Sequence, residues 1–166
     1  FVKTNPSSCK DMQFNGQALQ DKFVLNVLKQ KKDGHFLEIG SNHPININNT
    51  YILEKHFGWK GIMVECSSSW LQQYKKHRPN SIHIINDSTK INYAEQLKKH
   101  NFPVNLDYLQ VDVEPSNGST LKTVQKLDIE ILDHYKFAVV TFEHDCKKEL
   151  SHKPIVHETR KQSREI

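Results

Sequence analysis

A set of polar residues sits at the ends of apolar runs, and their types set the chemistry open to this chain. Glu38 and Gly40 close the run "HFLEIG", Glu65 and Cys66 close "GIMVEC", and Asp87 and Ser88 follow "SIHIIN". Asp112 and Glu114 follow "LDYLQV", and His144 follows "FAVVTFE". Carboxylates accept hydrogen bonds from ribose hydroxyls, an exocyclic amine or an ammonium. A carboxylate or a histidine beside a weak nucleophile can also take its proton. The pattern points to a pocket for a nucleoside-bearing ligand with a proton acceptor at one end.

The turn after the first run narrows the ligand. It reads Gly40-Ser41-Asn42-His43-Pro44, with one glycine. A dinucleotide site needs GxGxxG, because the backbone must approach a pyrophosphate and a helix N-terminus must face it. Glu38 would repel a pyrophosphate and suits a cation. S-adenosylmethionine is such a ligand, carrying a sulfonium and an ammonium and no phosphate. In this reading Glu38, Gly40, Ser41 and Asp112 line the cofactor pocket. Glu65, flanked by Cys66, accepts from the two ribose hydroxyls, and Asp87 with Ser88 meets the adenine amine.

Other roles stay open between a functional and a structural reading. Asp112 either positions the cofactor's amine or accepts the acceptor's proton, or else it caps the next turn. Glu114 either points at substrate or bonds the backbone of the "PSNGS" loop. His144 is a candidate general base and substrate contact, in a chain of 10 histidines of which most are surface or packed residues. Asp112, His144 and Asp145 include metal-ligating types, but no HxxxH-like spacing supports a site, and no required metal is expected. Trp59, Trp70, Tyr51 and Phe57 are expected in the core. Asn49 and Thr50 are expected to cap the helix that follows, with a cofactor contact as the other option.

These residues need a scaffold that brings strand ends together. Apolar spacing predicts a helix over Phe14 to Lys32, a strand over Phe36 to Ile39, a crossover helix over Asn48 to Phe57 and a second strand over Gly61 to Glu65. Ser67 to Ser69 offer N-caps for a helix through His77, ended by Pro79. A strand over Ser81 to Ile85, a helix over Ile91 to His100 and a strand over Leu106 to Val113 follow, the last with Gln110 and Asp112 on its polar side. A helix over Ser119 to Leu127 and a strand over Phe137 to Phe142 complete the alternation. Five alternating strands and helices predict an α/β fold, a mostly parallel Rossmann-like sheet with helices on both faces. Ligands bind such sheets at the carboxyl ends of the strands, where the acids fall.

Length and composition set the bounds. At 166 residues the chain is expected to form one domain over 14–166 after a polar lead-in over 1–13. No apolar run of membrane-spanning or leader length is present, and Cys9, Cys66 and Cys146 show no CxxC spacing, so a reducing, cytoplasmic setting is expected. The net charge of +4 comes from lysines spread as helix-surface pairs with three arginines, which gives no sign of a nucleic-acid groove.

Longer motifs resemble a known family. "QDKFVLNVLKQKKDGHFLEIGSN", "NNTYILEKHFGWKGIMVE", "LDYLQVDVE" and "VVTFEHD" are similar to the FkbM family of S-adenosylmethionine-dependent methyltransferases, over about Gln20 to Asp145. The resemblance implies the seven-strand class I methyltransferase fold and O-methylation of a hydroxyl, commonly on a sugar or polyketide. It implies cofactor contacts from Glu38, Gly40 and Asn42, and matches Glu65, Asp112 and Glu114 to the family's acids. Cys66 and Pro115 stand where the family has proline and glycine, and the fold's last two strands are not recognisable before Ile166. The expected function is therefore O-methyl transfer to a sugar, glycan or small molecule. The competing expectation is a degenerate methyltransferase fold serving as a binding or assembly module, and a dinucleotide enzyme is disfavoured by the single glycine.

Overall fold

A computed structural model describes residues 12–113 and 118–143. Its centre is a five-stranded sheet built from β1 (His35–Ile39), β2 (Lys60–Glu65), β3 (Ile82–Ile85), β4 (Asn105–Val111) and β5 (Lys136–Phe142), in the order β3-β2-β1-β4-β5. Every pairing is parallel, with Leu37 opposite Ile62 on one side and Leu109 on the other. Parallel strands need long crossovers, and α1 (Gln20–Val27), α2 (Tyr51–Phe57), α3 (Leu71–His77), α4 (Tyr93–Lys99) and α5 (Ser119–Leu127) frame them.

The two faces carry separate cores. Val24, Leu25, Ile52, Leu53, Phe57 and Tyr74 from α1, α2 and α3 cover Phe36, Met63 and Tyr108 on one face. Tyr93, Leu97, Leu127 and Ile131 cover Leu37, Ile39, Ile62, Val64 and Val111 on the other. Alternation along β1 explains the split, since successive side chains point to opposite faces. Burial on both faces is why these strands read as nearly unbroken apolar runs.

Local chemistry sets the element ends, and several differ from expectation. The first helix starts at Gln20, not Phe14, because Asp21 accepts from the Asn15 and Gly16 amides at 2.6 and 3.0 Å and folds that stretch into a turn. It stops at Val27, since Lys29 and Gln30 have left-handed φ values of 50° and 57°. Phe23 and Val27 on this helix are about half exposed at 52% and 49%. The crossover helix starts at Tyr51, and its cap differs too: Asn48 Oδ1 accepts the Thr50 amide at 3.1 Å, so neither Asn49 nor Thr50 supplies the capping side chain. Gly58 then closes that helix at φ 73°, where a side chain would be strained. Ser67 caps a short 3-10 turn over Ser68–Trp70 ahead of α3, and Asn92 caps α4 by accepting the Glu95 amide at 3.0 Å. Gln110, expected on a polar face, is 2% exposed and bonded to the Tyr108 hydroxyl at 2.8 Å.

Candidate functional site

The order in which strands are added reverses between β1 and β4, and at that switch point the loops leaving the two strands diverge and leave a crevice. Backbone bonds extend the ladder past the strand ends and hold the tips in a row. The Gly40 amide donates to Val64 O at 2.9 Å, Asp112 to Ile39 O at 2.8 Å, Glu143 to Val111 O at 2.8 Å and Asn86 to Glu65 O at 3.0 Å. A cleft of about 690 Å³ runs along this row. Ligand sites of this kind fall in the range of about 300–1,000 Å³.

The cleft gathers most of the residues expected from sequence. Glu38, Gly40, Ser41, Asn42, Glu65, Cys66, Asp87, Ser88 and Asp112 all line it. Glu114 and His144 lie outside the described residues, as do Pro115, Asp145, Cys9 and Cys146. Trp70, expected in the core, is half-buried: it packs against the core of α1, α2 and α3 and also forms part of the cleft wall, edge-on to His43 at 5.0 Å. Among the described residues no group of three His, Cys, Asp or Glu could hold a metal ion, and no helix is long and apolar enough to cross a membrane.

Gly40 is required by the protein's own backbone. Its φ is 84°, and a Cβ there would lie 1.8 Å from the Asp112 carbonyl oxygen. The turn after it is held from β2, since Glu65 accepts from the Asn42 amide at 2.8 Å and from the Ser67 amide at 2.9 Å. Tyr74 adds a hydroxyl bond to Asn42 O. Glu65 thus clamps the loops after β1 and β2 together while its carboxylate still borders the cleft. The exposed Cys66 thiol also donates to Glu65, and its pKa is raised by partial burial and by that neighbouring carboxylate.

At the third strand tip, Asp87 accepts from the amide and the hydroxyl of Thr89 at 2.9 and 2.7 Å, and these bonds hold its carboxyl below the usual range. Ser88 is buried, paired with the Thr123 hydroxyl at 2.8 Å. On the other side of the switch point Asp112 is half-buried, and the Gln110 amide reaches it at 3.5 Å. Gln110 is itself held by Tyr108 and Thr141.

Glu38 is 1% exposed, and burial raises its pKa, against an opposing pull from Arg78. The support behind it was not anticipated from sequence. Asn48 Nδ2 donates to Glu38 at 3.2 Å and to Ser41 O at 3.0 Å. The fully buried Arg78 donates to Asn48 Oδ1 at 2.8 Å, to Thr50 Oγ1 at 2.7 Å and to Glu54 at 2.8 Å. Five donors in a rigid plane let one arginine tie the 41–50 loop to α2 and the end of α3. A lone arginine among lysines, directly before the helix-ending Pro79, was the available signal. Gln17 and Asn49 also line the cleft, and nothing in their spacing marked Gln17.

No family profile and no curated protein matches the chain by sequence. Solved structures do match in fold. A TehB-like SAM-dependent methyltransferase from Corynebacterium glutamicum superposes with a TM-score of 0.53 at 9% identity, covering 87% of this chain and 71% of that one. A precorrin-6y C5,15-methyltransferase from Geobacter metallireducens gives 0.52 at 13%, covering 98% and 73%. AibC gives 0.51 at 12%, covering 85% of this chain, which spans only 37% of AibC. The chain has the Rossmann-like fold of class I methyltransferases.

Proposed function

We propose that this chain is an S-adenosylmethionine-dependent methyltransferase that acts on a hydroxyl of a sugar, glycan or other small molecule. The observation that carries the reading is the cleft at the β1/β4 switch point, which four strand tips line with Glu38, Glu65, Asp87 and Asp112. The methyltransferase folds it resembles and the FkbM-like motifs support the same reading.

The residues present fit such a cofactor. The described lining includes the acids Glu38, Glu65, Asp87, Asp112 and Glu143 and no lysine, arginine or histidine, which suits a cationic ligand and not a pyrophosphate. Glu65 would hold the ribose hydroxyls, Asp87 and Ser88 the adenine edge, and Trp70 offers an aromatic face beside them. When bound, the cofactor supplies an activated methyl group on a sulfonium. The protein's task is then to exclude water and fix the acceptor in line, with Asp112 positioned to take the hydroxyl proton. Gln110, itself held by Tyr108 and Thr141, donates to the Asp112 carboxylate at 3.5 Å.

Calorimetry tests the reading. S-adenosylmethionine and S-adenosylhomocysteine are expected to bind one per chain, with NAD showing no binding. Glu65→Gln is expected to weaken both by about tenfold or more, through loss of charge-assisted bonds. Absence of S-adenosyl binding to folded protein would overturn the proposal. Binding without methyl transfer to any member of a polyol and glycan panel would leave the fold as a binding module.

A further inference from the structure

All the strands are parallel, so the chain enters each of them at the end of the sheet opposite the cleft. That end gathers lysines from separate elements. Lys75 and Lys76 lie in the last turn of α3 before β3, and Lys98 and Lys99 in the last turn of α4 before β4. Lys60 is the first residue of β2, and Lys32 stands shortly before β1. All are exposed, and among the described residues none of them forms an ion pair. Asp107 is taken by Lys31 at 2.5 Å, and the exposed acid left in these connections is Asp33. The connection into β5 differs, since it carries Asp128 and Asp133, so the basic face lies under β3, β2, β1 and β4. Neighbouring strands are about 4.8 Å apart and salt screens over about 10 Å at 0.1 M, so these charges act together. A nearby group feels them. Burial lowers the pKa of His35, the first residue of β1; Asp107 raises it, and Lys31 and Lys60 lower it again.

Cations at a helix C-terminus offset the helix dipole, which accounts for the lysines closing α3 and α4. It does not account for Lys60 on a strand, for Lys32 beyond α1 or for the scarcity of acids between them. A nucleic-acid surface interleaves arginines with stacking aromatics. Here the only arginine among the described residues, Arg78, is fully buried against Glu54. The large apolar side chains exposed at this end are aliphatic: Val27, which closes α1, and Val104, just before β4, at 49% and 57%. Lysines spread over one end, with aliphatic groups exposed beside them, match an anionic lipid surface, where headgroup charge attracts each lysine and apolar side chains enter the acyl boundary. We propose that this end of the sheet is a docking face for anionic lipid headgroups, which holds the protein on a negatively charged bilayer with its cleft turned towards solvent. The face does not depend on which ligand the cleft takes.

Sedimentation with phosphatidylcholine vesicles, with and without about 30% phosphatidylserine, tests this at about 0.1 M salt. The chain is expected to pellet with the serine lipid and to stay in solution with phosphatidylcholine alone. Lys75→Glu with Lys76→Glu, and separately Lys98→Glu with Lys99→Glu, should each weaken that partition about tenfold or more, because each lysine near such a surface contributes a several-fold attraction. Lys22→Glu with Lys122→Glu makes the same change in net charge from the first turns of α1 and α5, at the cleft end, and should alter the partition no more than about twofold. The two face pairs sit on helices that cover opposite faces of the sheet, so if one variant fails to fold the other decides. Equal pelleting with both vesicles, no pelleting with either, or an equal loss in the Lys22 and Lys122 variant would overturn the proposal. A single-stranded RNA oligonucleotide that binds where the serine vesicles do not would give the face to nucleic acid and overturn it as well. None of these outcomes bears on S-adenosyl binding, which calorimetry reads separately.

Discussion

Gly40 and Glu38 show how much of the site turns on single side chains. Gly40→Ala would force a Cβ into the Asp112 carbonyl at a backbone angle that L-residues avoid. A loss of about 3 kcal/mol or more is expected, read as a lower urea midpoint, because rigid backbone lies on both sides of the clash. Glu38 predicts a pH effect of definite sign. Burial makes the folded chain hold its proton to higher pH than the unfolded chain does. Between the ordinary glutamate value of about 4.3 and the raised folded value the native state binds the extra proton, so this group's contribution to stability falls as pH rises. Glu38→Gln removes the titration. Its stability relative to wild type should therefore increase from about pH 4 towards neutrality, in denaturant unfolding across that range. A difference that stays flat with pH would mean that Glu38 titrates alike in both states. The acids were legible one residue at a time, since each ends an apolar run. Trp70 was not, because an aromatic at helical spacing looks the same whether it faces a core or a cleft.

Among the elements, the loop after β1 depends most on partners far away in sequence. Arg78 reaches Asn48 and Thr50 across 30 and 28 positions and Glu54 across 24, and Glu65 reaches Asn42 across 23. Arg78→Met removes the hub and leaves Glu54 buried without its cation, at 3% side-chain exposure. Breaking a buried pair in this way costs about 3–5 kcal/mol. Faster hydrogen exchange is expected over 41–50, with the strands least affected. A variant whose exchange rose equally everywhere would show that Arg78 acts on global stability and not on this loop. The helix expected over Phe14 to Lys32 came out shorter for a related reason. Apolar spacing registers where a helix could run, but the Asp21 bonds to the Asn15 and Gly16 amides decide where it begins.

For the whole molecule, the contrast between a basic chain and an acid-lined cleft matters most. The sequence carries a net +4, yet the described cleft lining holds five acids and no basic side chain. Fields between partly exposed charges are screened by salt over about 10 Å at 0.1 M. Raising ionic strength from about 0.05 to 0.5 M is therefore expected to weaken S-adenosylmethionine several-fold while leaving the uncharged 5′-methylthioadenosine nearly unchanged in the same titration. Equal salt responses would show that the cleft charge does not act on the ligand. The alternating pattern, the parallel α/β class and the acids at the strand ends were all determined by the sequence alone, because strand and helix periods are local properties of side-chain order. Only the tertiary structure decided the β3-β2-β1-β4-β5 order, the Arg78 network and the wall position of Trp70. Each of these is set by which distant groups meet once both faces of the sheet are buried, and neither residue type nor spacing encodes that meeting.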